Sequence, residues 1–139
     1  MPGIASLLVA ASAALMFVLG ALHLLYTFRG RKLHPREAET LRAMQQSTLR
    51  ITRQATVWQA WTGFNASHSF GLLLFGLIYG YLALAVPALL FGSLFLRGVG
   101  VVVLLGYVFI AHRYFFSVPF RGAVLAAAFY CAGIAANSI

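Results

Sequence analysis

Carboxylates are almost missing from this chain. It has no aspartate, and its two glutamates, Glu37 and Glu39, stand close together in one polar connection. A Ser-His-Asp arrangement, a pair of catalytic carboxylates and an oxygen-rich cage for a hard cation all need acids that are not there. The single cysteine, Cys131, lies in an apolar segment without a partner, which excludes a disulfide framework and paired metal thiolates and leaves it as a small packing residue. No glycine-rich phosphate loop opens a helix. The first apolar run, about residues 4–28, lacks a basic n-region and is too long for a signal-peptide core, so it reads as a retained membrane span.

Charge of either sign is scarce. Of 139 residues, 9% are charged and 62% hydrophobic, with a mean hydropathy of +0.90, far from the composition of soluble domains. The expected fold is an all-α integral membrane protein, a four-transmembrane-helix bundle. Its length accommodates about four spans of roughly 20–25 residues and no soluble domain beyond one connection. The formal charge of +8 is concentrated: Arg29, Arg31, Lys32, Arg36, Arg42, Arg50 and Arg53 share one connection, Arg113 and Arg121 flank another, and Arg97 stands alone. A basic pI could signal nucleic acid, but this distribution is the one the positive-inside rule produces, so no nucleic-acid partner is expected. By the same rule both termini are expected on the non-cytoplasmic side; the expected location is a bacterial inner membrane.

The spans are expected at about 4–28, 56–85, 88–116 and 120–139. Pro35 suits a first helical position, and Leu41, Met44, Thr48, Ile51, Ala55 and Trp58 recur at alternating three and four, predicting an amphipathic cytoplasmic helix over about 36–55. The stripe runs on through Thr62, Asn65 and Ser69, so one long second helix extending into the cytoplasm is predicted; a surface-lying helix with a kink near Gly63 is the competing geometry. Arg97 then lies about ten residues into the third helix, near the bilayer centre. The alternative makes 87–96 a re-entrant or interfacial piece, with the span starting at Gly98. Two small-residue stripes, Gly76 with Gly80 and Ala128 with Ala132 and Ala136, predict close packing inside the bundle or within a homo-oligomer.

The second span carries the polar residues that matter most. With Asn65 at zero on a wheel of about 100° per residue, Trp58, Thr62 and Ser69 fall on one side and Trp61 and His68 on the other, all within an arc of about 120°. Against lipid tails such a face would cost several kcal/mol per unpaired group, so it should look at other helices or at a ligand. Trp58, Trp61, Thr62, Asn65, His68 and Ser69, with His23 from the first span and Arg97 from the third, are therefore the candidate ligand-binding residues. His68, Arg97 and Tyr107 are the candidates for chemistry, through imidazole acid/base work, guanidinium recognition or a hydroxyl donating to a developing anion. Intramembrane ionisable residues favour a functional reading. The competing readings are an interfacial hydrogen bond for His23 and snorkelling for Arg97.

The plan resembles the membrane-associated proteins in eicosanoid and glutathione metabolism. The features that carry the resemblance are Asn65 in the inner half of the second helix, the run GLLLFGLIYGYLALA, then Arg97, Tyr107 or Tyr114, and Pro119-Phe120-Arg121. The resemblance implies four helices with a long second one, and glutathione as cofactor. The family's glutamate three residues after the Asn is His68 here.

The functional expectation is a polar intramembrane cavity that binds a lipophilic or anionic small ligand, in a glutathione-dependent or isomerase-type membrane enzyme. Two alternatives stand beside it. One is a redox bundle holding haem or a metal through His23, His68 and His112. The other is a non-catalytic accessory subunit of a membrane complex.

Overall fold

The computed structural model describes residues 2–137, and apart from one short hairpin its ordered elements are helices. In chain order they are α1 (Ile4–Phe28), α2 (Ala38–Gln46), β1 (Thr48–Leu49), β2 (Thr52–Thr56), α3 (Val57–Ala85), α4 (Pro87–Gly92), α5 (Leu94–Tyr114) and α6 (Ser117–Ala136). Four of them, α1, α3, α5 and α6, are long and apolar enough to cross a membrane. The last residues of the expected fourth span, 138 and 139, lie outside the described residues.

Two elements differ from the sequence reading, and in both a capping side chain is the cause. The predicted helix over 36–55 survives only as Ala38–Gln46, and the continuous long second helix is replaced by a hairpin followed by a fresh start at Val57. Thr56 and Gln59 form a reciprocal cap: the Gln59 amide N–H donates to Thr56 Oγ1 at 3.2 Å, and the Thr56 N–H donates to Gln59 Oε1 at 2.8 Å. A T-x-x-Q pair of this kind satisfies two orphan N–H groups and fixes a helix start. The preceding Thr48, Ile51, Thr52 and Thr56 are β-branched, which favours strand over helix. The strands pair antiparallel, Leu49 opposite Thr52 and Thr48 opposite Thr56, so residues 53–55 bulge out of the ladder. The second departure is in the predicted 88–116 helix, which is cut at Ser93. Its hydroxyl accepts the Leu96 N–H at 3.2 Å and caps α5. Arg97 is consequently the fourth residue of α5 instead of a mid-helix residue.

The chain divides into two compact units, one made of the residues up to Leu19 and from Leu72 onward, the other of Gly20–Gly71. The first holds the apolar core, built on Val9, Ala13 and Met16 of α1, Phe75, Tyr79 and Ala83 of α3, Leu104 of α5 and Tyr130 of α6. Glycine sets the closeness of its helices. A Cβ on Gly76 would stand 2.6 Å from Phe17 Cβ and 2.7 Å from the Ala13 carbonyl, and one on Gly100 would overlap the Tyr130 ring. The two buried phenols need acceptors, and they find them on the first turn of α5. Tyr79 donates to the Leu96 carbonyl at 2.7 Å and Tyr130 to the Arg97 carbonyl at 3.2 Å. Of the two small-residue stripes, Gly76 meets α1 inside this unit, whereas Ala128, Ala132 and Ala136 are exposed.

In the second unit, α1 ends at a Gly30 with φ of +85°, the left-handed conformation that glycine adopts without a Cβ penalty. The chain then turns back through a His34 N–H to Arg31 carbonyl bond of 3.1 Å. Lys32 lies over the Tyr26 ring at 3.8 Å from its centroid, a cation–π contact that holds the turn against α1.

Substitutions at these glycines should separate by what surrounds them. Gly76→Ala and Gly100→Ala each force overpacking and should cost about 1–3 kcal/mol. Gly63→Ala meets nothing within 4 Å and should gain about 0.5–1 kcal/mol from helix propensity. Unfolding of the detergent-solubilised protein by SDS titration measures all three.

Candidate functional site: a histidine–asparagine cluster on α1 and α3

Helical spacing puts Trp61, Asn65 and Ser69 in one row along α3, each four residues from the next. The row closes on its own backbone. Asn65 Nδ2 donates to the Trp61 carbonyl at 2.8 Å, and Ser69 Oγ donates to the Asn65 carbonyl at 2.9 Å. Both side chains are buried. This back-bonding satisfies donors that could not be left bare inside an apolar helix.

It also fixes the asparagine's orientation. With Nδ2 committed to Trp61, the group facing α1 is Oδ1, an acceptor, and it lies 2.9 Å from His23 Nε2. An acceptor facing Nε2 requires the proton there, so a neutral His23 carries its free lone pair on Nδ1. The position of His23 is reinforced locally by Thr27, whose Oγ1 donates to the His23 carbonyl at 2.8 Å. The His68 ring meets the His23 ring edge to face, with centroids 5.3 Å apart and planes at 76°.

One turn nearer the start of α3, two indoles meet the loop that returns from α1. Trp61 Nε1 donates to the Leu33 carbonyl at 3.2 Å, and His34 packs edge to face on Trp58 with centroids 4.9 Å apart. A crevice lined by Thr27, Leu33, His34, Trp58, Trp61, Thr62 and Asn65 runs between them, too narrow to enclose a water-sized void. In this conformation the polar face is closed by protein groups and not opened around a cavity.

Of the candidates read from sequence, His23, Trp58, Trp61, Thr62, Asn65, His68 and Ser69 all belong to this one unit. Arg97 and Tyr107 belong to the other. Arg97 Nε is buried without a hydrogen bond, and Tyr107 is half-buried at the edge of the apolar core. His112, the third histidine of the metal reading, is exposed and packs on the Phe120 ring at 5.4 Å. Among the described residues no group of three or more His, Cys, Asp or Glu converges to hold a metal. The His23–His68 contact brings an edge to a face, whereas a bridging metal needs two nitrogens aimed at one point.

Three residues of the site, Thr27, Leu33 and His34, were not legible. Leu33 contributes only a carbonyl, and His34 lies in a loop without periodicity. Comparison with protein-family models, with curated proteins and with solved structures gives no match, so the site is read from its own chemistry.

The asparagine's orientation makes a spectroscopic prediction. In ¹⁵N spectra of histidine-labelled protein, neutral His23 should show the tautomer protonated at Nε2. Asn65→Leu should abolish that preference, and Trp61→Phe should leave it intact. A His23 protonated at Nδ1 in the unsubstituted protein would mean that the amide is turned the other way.

Proposed function

We propose that this chain is a four-span integral membrane protein that binds a small lipophilic or anionic ligand at the His23–Asn65–His68 cluster. Four long apolar helices support the membrane reading, and charge supports the orientation. Cations collect on the α1–α3 connection and at the facing ends of α5 and α6, while the α3–α5 connection has none; under the positive-inside rule both ends of the chain then lie on the non-cytoplasmic side, and the compartment proposed is a bacterial inner membrane. The spans then form a bundle. Arg97, in the first turn of α5, reaches the outer headgroups by snorkelling and is not a guanidinium at the membrane centre.

The observation that carries the ligand reading is the pair of imidazoles in contact inside otherwise apolar helices, one of them oriented by a dedicated amide. Ionisable side chains at membrane depth are costly and mark binding or transfer sites. Around them the ring edges of Trp58, Trp61 and His34 offer a flat, amphipathic rim suited to an acidic head on an apolar body. The ligand enters by displacing the Trp61–Leu33 hydrogen bond, which spans the crevice. An isomerase-type or glutathione-dependent reaction is the enzymatic form of this proposal, with His23 and His68 as the groups able to move a proton. The self-satisfied hydrogen bonds of Asn65 and Ser69 favour a second reading, a non-catalytic accessory subunit in which the same face only packs.

Mass spectrometry of the protein purified in mild detergent distinguishes the two. The ligand reading expects a co-purifying small molecule at near-stoichiometric amount, depleted about tenfold or more in His23→Ala and Asn65→Ala, a loss of about 1.4 kcal/mol in binding, and retained in Gly63→Ala. Glutathione added to the purified protein tests the enzymatic form directly. Equal recovery in all variants, or no ligand together with a co-purifying membrane partner, would select the accessory subunit.

A further inference from the structure

The segment between α1 and α3 has a feature that the ligand site does not use. Its seven cations, Arg29, Arg31, Lys32, Arg36, Arg42, Arg50 and Arg53, are all exposed, and two glutamates oppose them. The hairpin turn itself is Arg50-Ile51. Ile51 is 91% exposed, the most exposed large hydrophobic residue among the described residues, and Arg50 and Arg53 stand on either side of it with no acid anywhere in residues 40–56.

The bulge keeps this tip close to α3. Leu49 pairs with Thr52 and Thr48 with Thr56, and the Val57 N–H donates to the Ser47 carbonyl at 2.9 Å. Ile51 is thus at most three strand residues, about 10 Å, from the pair that adjoins the start of α3. The headgroup layer of one leaflet is about 5–7 Å thick, and the indoles of Trp58 and Trp61 mark its level in the first turns of α3. An aliphatic side chain flanked by guanidiniums within about 10 Å of the start of α3 is within reach of that layer, and its chemistry suits a surface with apolar tails below and phosphates above. Juxtamembrane clusters of arginine and lysine are drawn to anionic leaflets, and guanidinium pairs with phosphate in bidentate geometry.

We propose that the Arg50-Ile51 hairpin tip is a membrane anchor selective for anionic phospholipid, with Ile51 inserted among the acyl chains and Arg50 and Arg53 on lipid phosphates. This rests on the membrane reading above. It adds that the connection lies on the leaflet instead of projecting into the cytoplasm, and that its grip depends on lipid charge.

The experiment uses the full chain with Cys131→Ser and a single environment-sensitive fluorophore on Ile51→Cys, reconstituted in nanodiscs of phosphatidylcholine alone or with phosphatidylglycerol, with spin-labelled lipid as quencher. Leu105→Cys, exposed and halfway along α5, is the control for membrane insertion. The expected result is quenching at position 105 in both lipids. At position 51 quenching should be strong with phosphatidylglycerol, weak without it, reduced by molar salt and lost in Arg50→Gln/Arg53→Gln. Quenching at 105 with a water-like signal at 51 in both lipids overturns the anchor while leaving the membrane reading intact, and points the hairpin at a protein partner. Equal quenching at 51 in both lipids overturns the selectivity for anionic lipid. Absence of quenching at 105 removes the membrane reading and the anchor with it.

Discussion

One constraint governs the polar half of this protein: a hydrogen-bonding group carried on an apolar helix has to find its partner within the protein. Asn65 meets it with both ends of its amide. Nδ2 reaches back to the Trp61 carbonyl and Oδ1 reaches across to His23. From that single side chain follows the tautomer of His23, whose ring in turn meets His68, while the two indoles pack separately against the returning loop. Ser69 and Thr27 obey the same rule more simply, each donating to a carbonyl one turn back. The ligand reading depends on this order, because a site whose groups are already oriented loses little freedom on binding.

The apolar unit solves the inverse problem. There two phenols are buried in the core, alongside Ser6, Ser12 and the Arg97 Nε, and the helices around the phenols lie close enough that their hydroxyls reach the backbone of α5. Gly100 makes that approach possible, since any side chain at that position would occupy the space of the Tyr130 ring. Ser93 makes it useful, because by ending α4 and capping α5 it places the Leu96 and Arg97 carbonyls opposite Tyr79 and Tyr130. The break therefore belongs to the packing of this unit.

Hydropathy made the four long apolar helices legible, and helical spacing picked out the face of Trp58, Trp61, Thr62, Asn65, His68 and Ser69, of which Trp58, Trp61, Thr62 and Asn65 line the crevice. Both are periodic signals, and periodicity survives in a single sequence. The missed features are local and chemical. Thr56-x-x-Gln59 was a visible capping box that the apolar stripe running through it concealed, and Ser93 was one hydroxyl among apolar neighbours. A stripe at alternating three and four places residues on one face only while the helix persists, so Thr48, Ile51 and Ala55 left the face once the hairpin intervened. The placement of His34 and Leu33 depends on the path of a loop turned by a left-handed Gly30, which composition does not encode. The reading of Arg97 as a mid-helix residue counts along a continuous helix from about residue 88, and Ser93 interrupts that helix.

The most direct test of the account is a double-mutant cycle between His23 and Asn65, measured by SDS unfolding of His23→Ala, Asn65→Ala and the double variant. Side-chain hydrogen bonds between membrane helices couple by about 0.6 kcal/mol on average and up to about 1.7. A pair at 2.9 Å whose amide is held at both ends should lie in the upper half of that range. Losses that add to within about 0.3 kcal/mol, the behaviour of sites that do not touch, would contradict the claim that the asparagine and the histidine organise one site.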